Sequence, residues 1–293
     1  MSSGSDHPVV SVVMPIGGID EFLPQQLDAL AEQEFDQPWE LVLSMNQPGT
    51  THDPAVAAPR LHPLATSLIV DSSDERSAAH ARNVGARAAT AKLLAFCDAD
   101  DIVEPTWLRA LVESLGSHAA VGGYLDERRL SPPGQERWRP PATPDELPSY
   151  LGHRYPVSAN MATTREAFDA VDGFVEGLTR CEDIAFGWAL ADAGIDLAYA
   201  PDAVVHYRHR PGLWTMVRQH HYYGIGMTEV IERHGLPGGA QPSGLLQANK
   251  QRVTQRSVIH ILRRGAIASG RLRGLAQERL TRRHRTQPHL SPP

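Results

Sequence analysis

Short β-branched and leucine-rich runs alternate with amphipathic stretches along the first hundred residues. Val9-Val-Ser-Val-Val-Met-Pro15 reads as a buried strand that a proline ends, and Trp39 to Ser44, Ser67 to Val70 and Lys92 to Phe96 read as three more. Between them, Asp20 to Glu34 carry Leu23, Leu27 and Leu30 at helical spacing. Asp74 to Ala89 form an alanine-rich helical stretch with Ser72, Ser73 or Asp74 available as its cap. Gly17-Gly18 and the proline-bearing segment from Asn46 to Pro63 read as loops. Strands alternating with helices predict right-handed crossovers and a mainly parallel sheet, an α/β fold.

Farther along, Asp126 to Tyr150 are rich in proline, glycine and charge and read as a loop or surface excursion. Asp183 to Ala193 place Ile184, Trp188 and Ala191 at helical spacing, and Leu213 to Gly226 read as an amphipathic helix ending in glycines. Gln241 to Gln247 read as a linker to a basic tail. The expected division is an α/β domain over residues 1–211 and a helical C-terminal extension over 212–293.

A length of 293 residues suits one large α/β domain or two smaller ones. No run approaches the roughly 18 apolar residues of a membrane span, and Met1-Ser-Ser-Gly-Ser-Asp6 lacks a signal-peptide pattern. The expected compartment is therefore the cytoplasm, where Cys97 and Cys181 would be free thiols. Charge is uneven: from Lys250 onward eleven basic residues face one acid, a net of +10, against a total of −6, which leaves −16 for the first 249 residues. Two readings of the tail stand side by side. It lies on anionic lipid at the inner face of a membrane, or it packs on the body with a solvated end. Nucleic acid is the poorer partner, because the body is acidic and the tail lacks interleaved aromatic residues.

The candidate chemistry centres on Leu93-Leu-Ala-Phe-Cys-Asp-Ala-Asp-Asp-Ile-Val-Glu104. Asp98, Asp100 and Asp101 arrive where a buried strand ends, and in open α/β sheets the ligand crevice lies outside the carboxyl ends of the strands. Clustered carboxylates repel one another unless a cation or proton intervenes, and hard oxygen ligands suit Mg²⁺ or Mn²⁺, which can in turn hold a diphosphate. The plainer alternative is a turn whose Asp101 starts the next helix. Upstream, Arg76, Arg82, Asn83 and Arg87 lie among small residues on one helix, where an arginine could reach a phosphate or stay solvated.

Val10-Ser-Val-Val-Met-Pro15, Ala81-Arg-Asn-Val-Gly85 and Phe96-Cys-Asp-Ala-Asp-Asp101 stand in the order and spacing of the inverting family-2 glycosyltransferases of the GT-A fold, which the chain resembles. Asp172-Gly-Phe174 followed by Glu182-Asp183, and Val205-His-Tyr-Arg-His-Arg210, resemble that family's acceptor-side segment and its late histidine-containing metal motif. The resemblance runs from about residue 9 to 210 and implies a Rossmann-like, mainly parallel sheet flanked by helices. It implies sugar transfer from a nucleotide-diphosphate sugar to an acceptor hydroxyl or other nucleophile, with Mn²⁺ or Mg²⁺ on Asp98, Asp100 and His206. Pro15, Asn46, Arg82, Asp98 and Asp101 would line the donor, Glu182 the acceptor.

The chain departs from that family after the second strand. Leu43-Ser-Met-Asn-Gln-Pro-Gly49 puts Met45 about where an aspartate usually contacts the nucleotide base, with Asn46 beside it and Asp71 or Asp74 as substitutes. The donor base therefore stays open among UDP, GDP and TDP.

Inversion needs a carboxylate to take the acceptor proton, and Asp183 is the residue assigned, with Glu182 the reverse choice. Both fall on the first turn of a helix, where the macrodipole favours ionised acids and would keep Asp183 charged. Arg208 or Arg210 would neutralise phosphate beside His206. Two further functions stay open. A degenerate chain would bind a sugar nucleotide or a partner without turnover, which fits the missing base contact. A sugar nucleotidyltransferase would want a basic, glycine-rich phosphate loop, and Gly17-Gly18 has no nearby Lys or Arg. The acceptor stays open among lipid, polysaccharide, small metabolite and peptide, and so does assembly into a homo-oligomer.

Overall fold

Buried, β-branched runs make the first half of the sheet. In the computed structural model, which describes residues 7–49, 59–131, 146–235 and 258–286 (side chains within 261–277 for the last stretch), β1 (Val10–Ile16) and β2 (Trp39–Met45) are almost wholly buried. β3 (Ala65–Asp71) and β4 (Leu93–Cys97) complete a parallel set in the order β3-β2-β1-β4. α1 (Leu23–Ala31) and α2 (Ala78–Ala88) are the crossovers, as the alternation predicts. The cap of α2 is Ser77, whose hydroxyl accepts the His80 N–H, so the helix starts later than Ser72, Ser73 or Asp74 would place it. Gly85 lets α2 lie against the sheet, because a Cβ there would stand 2.5 Å from Val13 Cγ1.

The rest of the sheet is mixed. β9 (Asn160–Thr164) runs antiparallel between β4 and β6 (Ala120–Asp126), β10 (Leu197–His206) pairs parallel with β6, and the two-residue β5 (Ile102–Val103) closes the edge on β10. A separate hairpin pairs β7 (Ser149–Tyr150) with β8 (His153–Arg154). Asn160 ties the new strands together: its Nδ2 donates to Tyr124 O and Ala203 O, both at 2.8 Å, and its Oδ1 accepts Trp107 Nε1–H at 2.9 Å. One apolar cluster, with Trp39, Leu41, Trp107 and Leu108, and another, with Phe96, Phe168, Phe174 and Phe186, form the core. α3 (Trp107–Leu115), α4 (Arg165–Ala170) and α5 (Glu182–Asp192) supply the remaining helices of this part. α3 begins after Thr106, so Asp101 does not cap it.

The chain divides into two units. One comprises residues 1–177 and 182–209; the other comprises 178–181 and 210–293. The second holds α6 (Leu213–His234) and α7 (Val258–Thr286), with Thr179 donating its N–H and hydroxyl to Glu229 at 2.7 and 2.8 Å. α6 runs past the expected stop at Gly226, because Gly224 and Gly226 serve as contact points: a Cβ at either would meet neighbouring backbone. Both cysteines are free and buried. Among the described residues no helix is long and apolar enough to cross a membrane. The inner part of the Asn46–Pro63 loop, most of the Asp126–Tyr150 stretch and the Gln241–Gln247 linker lie outside the described residues.

Candidate active site

The polypeptide leaves β4 at Cys97 and within five residues enters β5, so Asp98, Asp100 and Asp101 are confined to one tight connection. Their carboxylates each offer an oxygen within 4.8 Å of the others. Gln26, fully buried on α1, clamps the connection, donating to Asp98 O at 2.9 Å and accepting the Val103 N–H at 3.0 Å. Asp101 is itself fully buried; its Oδ1 accepts the Arg208 N–H at 2.7 Å, while Oδ2 is buried with no hydrogen-bond partner among the described residues. Burial, then the charges of Asp98 and Asp100, push the Asp101 carboxyl well above the usual carboxylate range, and the Arg208 N–H only partly opposes this. Three crowded carboxylates, one with an unmatched buried oxygen, form a hard-oxygen set that a divalent cation such as Mg²⁺ or Mn²⁺ fits.

Arg82 stands behind this loop. Its side chain is 3% exposed, and it bonds Asp98 at 2.5 Å through one terminal nitrogen and Glu182 at 3.1 Å through the other. The guanidinium also lies 5.7 Å from the centre of the Phe174 ring. This side chain is directed at carboxylates, and its neighbour Asn83 points elsewhere, donating to Phe174 O and Glu176 Oε1 while accepting the Phe174 N–H. Successive helical residues diverge by about 100°. The Arg-Asn pair thus binds two different segments of the acceptor-side stretch, a division the sequence did not reveal.

Asp183 begins α5 beside Glu182, and its Oδ1 accepts the Ile184 N–H at 2.8 Å. The macrodipole does not hold Asp183 at an ordinary carboxylate pKa. Loss of solvent, then the Glu182 charge, push its carboxyl up to about 7, outweighing the Ile184 N–H and Arg82, which pull it down.

His206 ends β10, with its Cα in register with Ile102 of β5. Its Nδ1 lies 2.9 Å from Asp126 Oδ2, and its Nε2 contacts Glu104 Oε1 and, at 2.6 Å, Arg129 Nη1. The structure thus brings Asp98, Asp100 and Asp101 into one cluster, and holds His206 in a neighbouring set of its own with Glu104, Asp126 and Arg129. Asp126 and Arg129 come from the stretch read as a loop or surface excursion, and Glu104 ends the Leu93–Glu104 stretch without a role assigned to it. Arg208 lies against the carboxylate loop: its Nε donates to Asp100 O at 2.8 Å, its Nη2 to Gln25 Oε1 at 3.0 Å, and its guanidinium stacks 4.1 Å from the Phe22 ring centre.

At the same carboxyl ends of the parallel strands, Pro15 is partly buried in β1, in register with Ser44. Met45, which replaces the usual acid, is fully buried in the core. Asn46 spends both amide hydrogens on backbone, donating to Ser72 O at 2.5 Å and Glu75 O at 2.7 Å. It is a clamp between the end of β2 and the approach to α2. Asp71 accepts the Ser73 N–H, and Asp74 bonds His80, so each has a local duty.

The profile of glycosyl transferase family 2 matches residues 11–171, more than half of the chain. The pre-mycofactocin glycosyltransferases of Mycobacterium tuberculosis strains CDC 1551 and H37Rv are 28% identical over 172 residues, covering 53% of this chain and 35% of each relative. The match thus spans about a third of those proteins' length. Among solved structures, the mannosyltransferase PcManGT from Pyrobaculum calidifontis, in complex with GDP-Man and Mn²⁺, superposes with a TM-score of 0.58 at 20% identity, over 92% of this chain and 75% of that one. The extended family match, on a sheet with the GT-A arrangement, establishes that the chain belongs to glycosyl transferase family 2.

Proposed function

We propose that this chain is an inverting, divalent-metal-dependent glycosyltransferase that moves a hexosyl group from a nucleotide-diphosphate sugar to an acceptor hydroxyl. The catalytic part is residues 1–211, with 212–293 as a helical extension. The observation that carries this reading is the chain of contacts Asp98–Arg82–Glu182, which draws the acid at the end of β4 and the acid pair at the start of α5 onto one buried guanidinium. Donor-side and acceptor-side carboxylates are thereby linked through a single side chain.

Asp98 and Asp100, with Asp101 beside them, would hold Mn²⁺ or Mg²⁺, and His206 is the histidine assigned to the same ion. The ion supplies Lewis-acid stabilisation of the diphosphate as the glycosidic bond breaks. Pro15 and the segment around Asn46 border the nucleotide. Arg208, pinned beside Asp100 and Asp101, places positive charge next to that site. Asp183 takes the proton from the acceptor hydroxyl as its oxygen attacks the sugar, and a carboxyl near pH 7 is suited to a general base. Glu182, held by Arg82, positions the acceptor. The mannosyltransferase neighbour was captured with GDP-Man and Mn²⁺, which makes GDP-mannose with Mn²⁺ the first donor and metal to test.

The degenerate-binder alternative retains one specific support, namely that Met45 is buried and Asn46 is committed to backbone where a base-contacting acid is usual. The discriminating experiment incubates the protein with nucleotide sugars and follows nucleotide release and the anomeric configuration of the product by NMR. Release that needs metal, with an inverted product, and that is lost in Asp183→Asn supports the transferase. Binding without turnover in both proteins supports the alternative.

A further inference from the structure

Within the second unit, α7 presents two opposed faces. Ala266, Gly270 and Gly274, four residues apart, form a buried row against α6, and a Cβ at Gly224 or Gly270 would overlap the backbone of the other helix. At about 100° per residue, Ile261, Ala268, Leu272 and Leu275 fall on the side away from that row. All four are exposed, Ile261 at 63%, Leu272 at 69% and Leu275 at 44%. Exposed Arg264 borders this apolar strip on one edge, exposed Arg273 follows about 100° beyond Leu272 on the other side, and the helix carries eight arginines against the single acid Glu278. The two helices run parallel, since His220 meets Arg263 and Thr228 meets Gly274. Trp214, 78% exposed, therefore stands at the end where α7 begins.

An apolar strip fringed by arginine on a helix unable to span a bilayer is the pattern of a segment that lies in a membrane interface. A second copy would bring two arginine fringes together, whereas an anionic bilayer neutralises them. We propose that the outward face of α7 docks on an anionic lipid surface, with Ile261, Leu272 and Leu275 seated below the headgroups and the flanking arginines among the phosphates. Exposed Trp214 suits the same boundary. This inference does not depend on the reading of the catalytic carboxylates.

The full chain is sedimented with vesicles of phosphatidylcholine and with vesicles in which part of it is replaced by phosphatidylglycerol. Co-sedimentation with the anionic vesicles alone, weakening as salt is raised, is expected. Leu272→Ser combined with Leu275→Ser, which leaves the buried row intact, lowers partitioning at least about tenfold. Arg264→Gln and Arg273→Gln each lower it about fivefold. Far-UV circular dichroism checks that helix content is kept; should the serine variant lose it, the arginine variants decide alone. Equal or no sedimentation with the two vesicle types overturns the proposal, as does unchanged partitioning of helical variants. A concentration-dependent dimer that Leu272→Ser dissolves, without vesicle binding, assigns the face to a second copy and also overturns it.

Discussion

The Arg82 guanidinium stands 2.5 Å from the Asp98 carboxylate, and with its other terminal nitrogen it holds Glu182 at 3.1 Å. Removing it leaves two carboxylates facing each other in a largely desolvated place. Arg82→Ala therefore lowers the unfolding free energy by about 3 kcal/mol in urea titrations. Arg82→Lys keeps the charge but cannot fork to both acids, and its kcat/KM falls at least about tenfold while more of the stability is kept.

The carboxyl of Asp183, pushed up to about 7 by lost solvent and by Glu182, sets the pH dependence of transfer. The base must be unprotonated, so kcat/KM rises with pH to about 7 and is level above it. Asp183→Asn lowers kcat by about 10²–10⁴-fold while donor binding persists. Arg82 pulls this carboxyl down, so in a folded Arg82→Lys protein with a displaced charge the rising limb moves to higher pH. An unchanged profile in Asp183→Asn assigns the base to another group.

His80 gives stability a pH dependence of its own. Burial opposes its charge, but hydrogen bonds to Glu176 at 3.0 Å and Asp74 at 2.9 Å prevail, and its pKa is raised above the ordinary 6.5. A group whose folded pKa exceeds its unfolded value stabilises fully below the unfolded value and loses that contribution as pH rises through the folded one. The gap in melting temperature between wild type and His80→Gln is therefore widest below about pH 6 and narrows above neutrality. A gap independent of pH shows that His80 acts through packing alone.

Asn46 donates to two backbone carbonyls. Asn46→Asp, which puts an acid beside Met45, places one carboxylate oxygen against both carbonyls and lowers stability by about 2 kcal/mol in chemical denaturation, without tightening nucleotide binding.

The parallel half of the sheet was legible because β1, β2 and β4 are buried on both faces and spelled by Val, Leu, Ile and Phe. β6 and β9 were not. β6 contains Gly122 and Gly123, which leave room for Leu147, Pro156 and Asn160, and β9 reads Asn-Met-Ala-Thr-Thr, whose order comes from Asn160 and Trp107. Asp98, Asp100 and Asp101 were found because they lie within four residues of one another at a strand end. Arg82 and Glu182 are one hundred residues apart, and nothing local announces their pairing. The partners of His206 were hidden for the same reason, since Glu104 precedes α3 and Asp126 ends β6.

The central claim, a metal-dependent nucleotide-sugar site built on the acids after β4, is tested most directly by calorimetric titration of GDP, UDP and TDP into the protein, with and without Mn²⁺, and into Asp100→Ala. One nucleotide is expected to bind, with binding lost both without the metal and in the variant. Binding that is indifferent to Mn²⁺ and to Asp100, or no binding of any nucleotide, would contradict it.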